Sequence, residues 1–230
     1  MDDWIDYYDS THTIYVSKAH RDAHFRVIAK DIAGFIPSPG AVVLDYSCGE
    51  ALFAAEVAAS CGQLILAEPA PGVRGRLSAR YANEPKIRVL SLSALADVAD
   101  TSVDLAVMIS VAQYMTPTEL DDALAVIRRV LKPGGRFVLG DVLRPNIGAP
   151  TDVMALLRFG AKHGFFQDAV IGIARTALSD YWQLRQRIGL QRYSEAQMIG
   201  KLAAAGLSAT LSPVNVGHNP ARMTFIAHGS

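Results

Sequence analysis

Apolar positions along the chain fall in short dense runs, separated by longer stretches in which they recur every three or four residues. The runs mark buried strands and the spaced stretches mark amphipathic helices. Ala41-Val42-Val43-Leu44-Asp45 is the first strand, launched by the turn residues Pro37-Ser38-Pro39-Gly40. A helix over about Leu52 to Ser60 follows, with Gly62 where a left-handed C-terminal residue belongs. Gln63 to Ala67 is the second strand, and a helix from about Gly72 to Tyr81 leads to the third, Ile87 to Leu90. Val103 to Ile109 is almost continuously apolar, as expected of a strand buried on both faces. Thr116-Pro117-Thr118-Glu119 then opens a helix with a capping threonine, a proline at the first helical position and a glutamate that completes a capping box. That helix ends at Leu131-Lys132-Pro133-Gly134-Gly135, and Arg136 to Gly140 is the fifth strand. Ser194 and Gln197 form a second capping box, for a helix ending at Gly206. The last two strands, about Ala209 to Val216 and Met223 to Ala227, are joined by Gly217-His218-Asn219-Pro220, which forces them antiparallel.

Strands alternating with helices predict an α/β fold: a doubly wound, mostly parallel seven-stranded sheet with an antiparallel last strand. The expected organisation is a single domain. Residues 1–36 supply N-terminal cap helices, 37–145 a ligand-binding core, 146–193 a helical insertion and 194–230 the end of the sheet. The insertion is rich in large apolar side chains, among them Met154, Phe159, Phe165, Phe166, Tyr181 and Trp182. Most belong in a core, but a segment outside the sheet can also serve as a lid over a ligand.

Composition narrows the function classes. Lys+Arg and Asp+Glu both number 22 among 230 residues, so the formal charge is zero and nucleic acid is a poor partner. The densest basic cluster, Arg74, Arg76, Arg80, Lys86 and Arg88, reads as a solvated helix face. The two cysteines, Cys48 and Cys61, form neither a CxxC pair nor a Cys/His cluster, so no metal site and no disulfide framework are expected. The start, MDDWIDYYDSTH, is acidic and lacks a signal-peptide apolar core, and no apolar run approaches a bilayer span. These features predict a soluble, cytoplasmic protein without stable membrane insertion.

Open α/β sheets bind ligands at the carboxyl ends of strands, where the strand order reverses. Asp45-Tyr46-Ser47-Cys48-Gly49-Glu50-Ala51 occupies the turn after the first strand. Gly49 lets the backbone approach a ligand, and Asp45 offers an anionic acceptor better matched to a cation or amine than to a pyrophosphate. Glu68 closes the second strand, where a carboxylate can accept both hydrogen bonds of a ribose diol. Read alone, Asp45 could equally cap the following helix, and Glu68 could be a surface carboxylate. Cys48 reads as a small buried residue and not as a nucleophile.

Four strings, VVLDYSCGEALFA, LAEPA, DLAVMISVAQYM and LKPGGRFVLGDV, stand in order along the chain, followed by the antiparallel terminal pair. In this the sequence resembles the class I S-adenosylmethionine-dependent methyltransferases, over essentially its whole length. The resemblance implies a Rossmann-like methyltransferase fold, S-adenosylmethionine as cofactor and a small-molecule methyl acceptor, in a monomer or homodimer. It implies that Asp45, Ser47 and Gly49, with Cys48 between them, line the methionine part. Glu68, followed by Pro69, would hold the ribose hydroxyls, and Ser93 and Ala94 would border the adenine. Ser110 and Val111 would face the cofactor from the fourth strand, with Gln113 and Tyr114 just beyond. Ser47 and Ala51 stand where the family usually has glycine, and Leu92 or Ser93 replaces a common acidic residue.

Candidate bases and acceptor-facing groups are Tyr114, Asp141, His163, Tyr181 and His218, although methyl transfer needs a base only if the acceptor must lose a proton. In the N-terminal segment Tyr8, Tyr15, His20 and His24 are placed to fold over the cofactor, with Tyr15 the foremost candidate. The aromatic insertion points to a hydrophobic acceptor. Two rival readings stay open. A nicotinamide-dependent oxidoreductase would need a G-x-G-x-x-G turn, which Ser47-Cys48-Gly49-Glu50-Ala51 does not supply. A non-catalytic binding module on the same fold is the other.

Overall fold

The computed structural model describes residues 4–5, 9, 15–176 and 189–229. Its sheet has seven strands in the order β3-β2-β1-β4-β5-β7-β6. They are β1 (Val42–Tyr46), β2 (Gln63–Ala67), β3 (Ile87–Leu90), β4 (Val103–Ile109), β5 (Leu131–Val142), β6 (Leu207–Leu211) and β7 (Met223–Gly229). The first five run parallel to their neighbours, and β7 lies antiparallel between β5 and β6. The order reverses between β1 and β4, which opens a crevice at their carboxyl ends.

Described helices, in chain order, are α1 (Lys18–Phe35), α2 (Ala54–Ala59), α3 (Pro71–Arg80), α4 (Pro117–Val130), α5 (Ala149–His163), α6 (Phe166–Thr176) and α7 (Glu195–Ala204). Both capping boxes form as the sequence predicts, with Glu119 N–H donating to Thr116 Oγ1 at 3.2 Å and Gln197 N–H donating to Ser194 Oγ at 3.2 Å. Helix α1 has its own cap, Ser17, whose Oγ accepts from His20 N–H at 3.2 Å.

Alternation along the central strands sends side chains to two cores. Leu44, Ala106, Met108, Phe137 and Leu139 pack on one face, together with Leu120, Leu124 and Ile127 of α4 and Met198 and Leu202 of α7. Val43, Leu105, Val107 and Val138 face the other way, against Ala29 and Ile32 of α1, Val57 of α2 and Leu77 of α3. Fully burying one such aliphatic side chain contributes about 1.5–3 kcal/mol.

The structure corrects two strand boundaries. Strand β5 begins at Leu131, not Arg136. Leu131 pairs with Val103 and Arg136 with Leu105, and Gly134 at φ 73° helps take up the extra residues as a bulge. Strand β6 runs Leu207–Leu211 and stops well before Val216. Pro213 has no N–H to donate and Val214 is 72% exposed, so pairing ends there. The connection to β7 is therefore a long loop, 212–222, in place of a four-residue turn, although the pair remains antiparallel. Gly217 N–H donates to Asp31 Oδ2 at 2.9 Å, and Val216 N–H donates to Thr224 Oγ1 at 2.8 Å, which fixes this loop against α1 and β7.

The insertion contributes α5 and α6, which meet at Gly160, where an added Cβ would lie 3.1 Å from Phe166 Cα. Phe159, Phe165 and Ala169 form a small separate core with Val16, Ala23 and Val27 of the α1 region. This packing brings the insertion over the same end of the sheet as the crevice. No helix among the described residues is long and apolar enough to cross a membrane.

Candidate functional site

The turn after β1 is strained and held from several sides. Ser47 (φ 58°), Gly49 (φ 59°) and Ala51 (φ 36°) all lie in the left-handed region, which disfavours residues bearing a Cβ. Strain of this kind persists only where the surroundings impose it. Here Ser47 and Cys48 N–H both donate to Ala67 O, at 2.7 and 3.2 Å. Tyr81 Oη donates to Ala51 O at 2.5 Å and accepts from Ala54 N–H at 3.2 Å. So the two positions where glycine is usual keep the glycine conformation.

Glu68 ties this turn to the end of β2. Its Oε2 accepts from Gly49 N–H at 2.8 Å and its Oε1 from Ala70 N–H at 2.9 Å. An ionised carboxylate has about four acceptor sites, so each oxygen retains capacity for a hydroxyl. Burial raises the Glu68 pKa, and the two backbone donors oppose the rise. Asp45 is buried and has no such donors. Burial, and secondarily the charge of Glu68, push its carboxyl up to about 7.

Asp45, Ser47, Cys48, Gly49, Glu50 and Glu68 line one cavity, opposite Tyr15, His24, Ser110, Val111, Tyr114 and Trp4. Three carboxylates and, among the described residues, no lysine or arginine line it. Such a cavity suits a ligand with a cationic end and disfavours a pyrophosphate. The buried Ser47 Oγ has no hydrogen-bond partner among the described residues. An unmet hydroxyl on a strained, buried residue marks a place where a ligand completes the network. These features fit S-adenosylmethionine: a cationic sulfonium and ammonium beside Asp45, and a ribose diol beside Glu68.

A second cavity of about 190 Å³ adjoins the first and shares Tyr15, His24, Ser110 and Tyr114 with it. Its wall is built around an ion-paired cluster. Arg222 Nη1 reaches Asp141 Oδ2 at 2.6 Å and Nη2 reaches Asp152 Oδ1 at 3.1 Å. Asp141 also accepts from Ser110 Oγ at 2.6 Å and from Asn215 Nδ2 at 3.2 Å. Ser110 and Asp141 are themselves left-handed, at φ 61° and 62°, so the ends of β4 and β5 bend into this network.

The remaining predicted residues distribute as follows. Tyr15 packs on His20, His24 and Phe25 with ring centroids 5.6 to 5.7 Å apart and covers both cavities. Tyr114 stacks on Trp4 at 6.3 Å. Gln113 is buried and lines the second cavity. His218 lies on Phe159 at 4.6 Å, lowered in pKa chiefly by burial, with Asp141 opposing. Burial, then His218, His20 and Arg222, push His24 down to about 3, so its ring is neutral. His163 is exposed at the end of α5, on a separate groove with Arg158 and Lys162. The Cys48 thiol is pushed up by burial and by the Asp45 and Glu68 charges, which leaves it inert. Pro69 offers its carbonyl to Arg74 Nη1 at 3.0 Å. Ser93 and Ala94 open a 3₁₀ turn, where Ala94 N–H donates to Ser91 Oγ at 3.1 Å, and they do not line either cavity. Tyr8 and Tyr181 lie outside the described residues.

Sequence reasoning missed Arg222, Asp152 and Trp4. Arg222 had one signal: acidic groups predicted inside an apolar setting require a cation, and it is the arginine of the loop preceding β7. For Trp4 there was none.

A seven-stranded sheet with this order, carrying an acidic cavity at its switch point, is the arrangement that the resemblance to class I S-adenosylmethionine-dependent methyltransferases implies. Comparison with known proteins agrees. Residues 44–139 match the family model described as a methyltransferase domain. An uncharacterized methyltransferase of Synechocystis is 35% identical over 111 residues, which cover 47% of this chain and 50% of that protein. The chain thus aligns with half the length of this relative. Among solved structures, a complex of the Haloferax volcanii Trm112 methyltransferase activator with a methyltransferase aligns at TM-score 0.64 and 17% identity, over 100% of this chain and 98% of that one. The N-methyltransferase NodS from Bradyrhizobium japonicum, solved with S-adenosylhomocysteine, aligns at TM-score 0.58 and 16% identity over 98% and 95%. The [4+2]-cyclase SpnF also aligns, at TM-score 0.55 and 19% identity over 85% and 61%. At such identities structural likeness speaks for the fold, and the site must speak for the chemistry.

Proposed function

We propose that this protein transfers the methyl group of S-adenosylmethionine to O, N or C of a small, largely hydrophobic molecule. The cofactor supplies an electrophilic methyl on a sulfonium that is already a good leaving group. Asp45 and Ser47 take the amino-acid end, Glu68 takes the ribose, and Tyr15 with α1 covers the space. The acceptor occupies the adjoining chamber, and the transferred methyl crosses the face the two cavities share. Helices α5 and α6, packed on α1, act as the lid that keeps water out. In such a reaction alignment alone lowers the barrier by about 7–11 kcal/mol, so no catalytic triad is required.

One observation carries this reading: the cavity at the switch point holds three carboxylates, no lysine or arginine among the described residues, and a buried hydroxyl without a partner. That combination favours the sulfonium nucleoside over a nicotinamide dinucleotide. Titration calorimetry with S-adenosylhomocysteine and with NAD separates the two. The expected result is binding of the first and not of the second, with affinity lost in Asp45→Ala. Binding of NAD in preference, or unchanged affinity in a folded Asp45→Ala protein, contradicts it.

A further inference from the structure

The second cavity holds polar atoms that the protein itself does not use. Its ionised groups contact one another, with Arg222 between Asp141 and Asp152. Gln113 is 4% exposed, and its Nε2 donates to the Ser110 carbonyl at 2.6 Å. A carbonyl oxygen can only accept, so this bond fixes which way the amide points. The other end, Oε1, is buried and has no donor among the described residues.

His20 presents the complementary case. It is 6% exposed, and its Nδ1 accepts from Val16 N–H at 3.3 Å. In the neutral ring the proton therefore sits on Nε2. Burial, then the neighbouring His218, lower its pKa to about 4, which keeps the ring neutral. Nε2–H is buried and has no acceptor among the described residues. Its ring is stacked on Phe165 at 5.2 Å and so has little freedom to seek one. Arg222 Nε, in the same chamber, is also buried without a partner among the described residues. Native proteins pair roughly nine in ten buried polar groups, so the unmet acceptor of Gln113 and the unmet donor of His20 require a reason.

A ligand that meets both needs one hydrogen-bond donor and one acceptor. Leu143, Leu156 and Leu190 add an apolar part to a chamber otherwise lined mostly by polar and aromatic side chains. A cationic ligand would satisfy Gln113 but leave His20 Nε2–H unmet. An anionic ligand would satisfy His20 but face two carboxylates against one guanidinium. We propose that the chamber binds a neutral methyl acceptor bearing both a hydroxyl and a carbonyl, the hydroxyl donating to Gln113 Oε1 and the carbonyl accepting from His20 Nε2–H. This rests on the methyl-transfer reading, and it narrows the acceptor from any small hydrophobic molecule to a hydroxycarbonyl compound. Gln113 and His20 line the second cavity and not the first, so on this proposal the atom that receives the methyl faces Tyr15, His24, Ser110 and Tyr114, which line both.

The test is equilibrium binding to protein saturated with S-adenosylhomocysteine, which needs no turnover. Probes are meta- and para-hydroxyacetophenone, acetophenone (carbonyl only), para-ethylphenol (hydroxyl only), para-hydroxybenzoate (anion) and tyramine (cation). At least one hydroxyacetophenone is expected to bind about tenfold tighter than any of the other four, the value of one well-formed hydrogen bond. Gln113→Leu should make hydroxyacetophenone and acetophenone bind alike. His20→Phe should make hydroxyacetophenone and ethylphenol bind alike, and neither substitution should move S-adenosylhomocysteine affinity by more than about twofold. A parent protein that binds acetophenone, ethylphenol or either ion as tightly as both hydroxyacetophenones overturns the proposal. So do variants that keep the parent's preference. Should a variant fail to fold, the parent's order of affinities decides alone. If S-adenosylhomocysteine itself does not bind, the reading of the acidic cavity fails, and the same probes on the ligand-free protein judge the chamber separately.

Discussion

Gly49 N–H donates to Glu68 Oε2 at 2.8 Å, so the carboxylate expected to hold the ribose also holds the turn that shapes the cavity. One side chain thus couples the end of β2 to the strained segment after β1, and its loss has both a structural and a binding consequence.

Glu68→Ala leaves the Gly49 and Ala70 N–H groups without their acceptors in a buried setting. The expected loss is about 2–4 kcal/mol, read as a lower urea midpoint, with S-adenosylhomocysteine affinity falling more than tenfold. Glu68→Gln keeps one acceptor oxygen and should fall between parent and alanine variant in both measurements. Parent-like stability in Glu68→Ala would show that the turn does not depend on this bond.

Asp45 gives a pH dependence whose sign follows from its environment. Its carboxyl rises from 3.8 to about 7 on folding, chiefly through burial. A group raised in this way favours the folded state at low pH, and that contribution is lost as pH climbs through about 7. Ligand-free Asp45→Asn should therefore melt above the parent at about pH 8, with the gap narrowing as pH falls and closing near about pH 4. Ligand affinity runs the other way, because a cationic group prefers ionised Asp45. In the parent it should increase with pH and level off above about 7, and in Asp45→Asn it should be weak and flat. Melting curves and calorimetry across this range check both. An affinity that falls as pH rises contradicts the role given to Asp45.

Arg222 is the keystone of the chamber wall. Its guanidinium is held between Asp141 and Asp152, and those carboxylates push its pKa further up although burial opposes them. Arg222→Met leaves two largely buried carboxylates without their counter-ion, so the expected loss is about 3–5 kcal/mol. Arg222→Lys supplies charge but not a fork that reaches both partners, and it should recover only part of the loss. Denaturant melts of the three proteins test this order.

Ala51 sits at φ 36°, a conformation that costs a residue with a Cβ. Ala51→Gly should raise stability by about 1 kcal/mol and leave S-adenosylhomocysteine affinity unchanged. A destabilised glycine variant would mean that the Ala51 methyl group, which is buried, contributes more through packing than its backbone loses through strain.

Local signals made much of this molecule readable in advance. The capping boxes at Thr116 and Ser194 rest on residues three positions apart, and the alternation of Val43 and Leu44 or Val107 and Met108 follows from the pleat of one strand. Asp45, Gly49 and Glu68 were legible because the end of a strand and the turn after it are neighbours in sequence. What depended on distant contact was not. The Asp141–Arg222 pair spans 81 positions, and the Asp152–Arg222 pair spans 70. The end of β6 is set by Pro213 and by exposure at Val214, whose apolar character had suggested a longer strand. The unmet Nε2 of His20 depends on Val16 capturing Nδ1 and on Phe165 lying against the ring, neither of which a linear pattern displays.

A crystal structure of the protein with S-adenosylhomocysteine tests the central claim most directly. The ammonium group should lie within hydrogen-bond distance of Asp45, the ribose hydroxyls on Glu68, and the sulfur on the side of Tyr15, His24 and Ser110, pointing toward the second chamber. A nucleoside seated elsewhere, or one whose sulfur faces away from that chamber, would contradict the account.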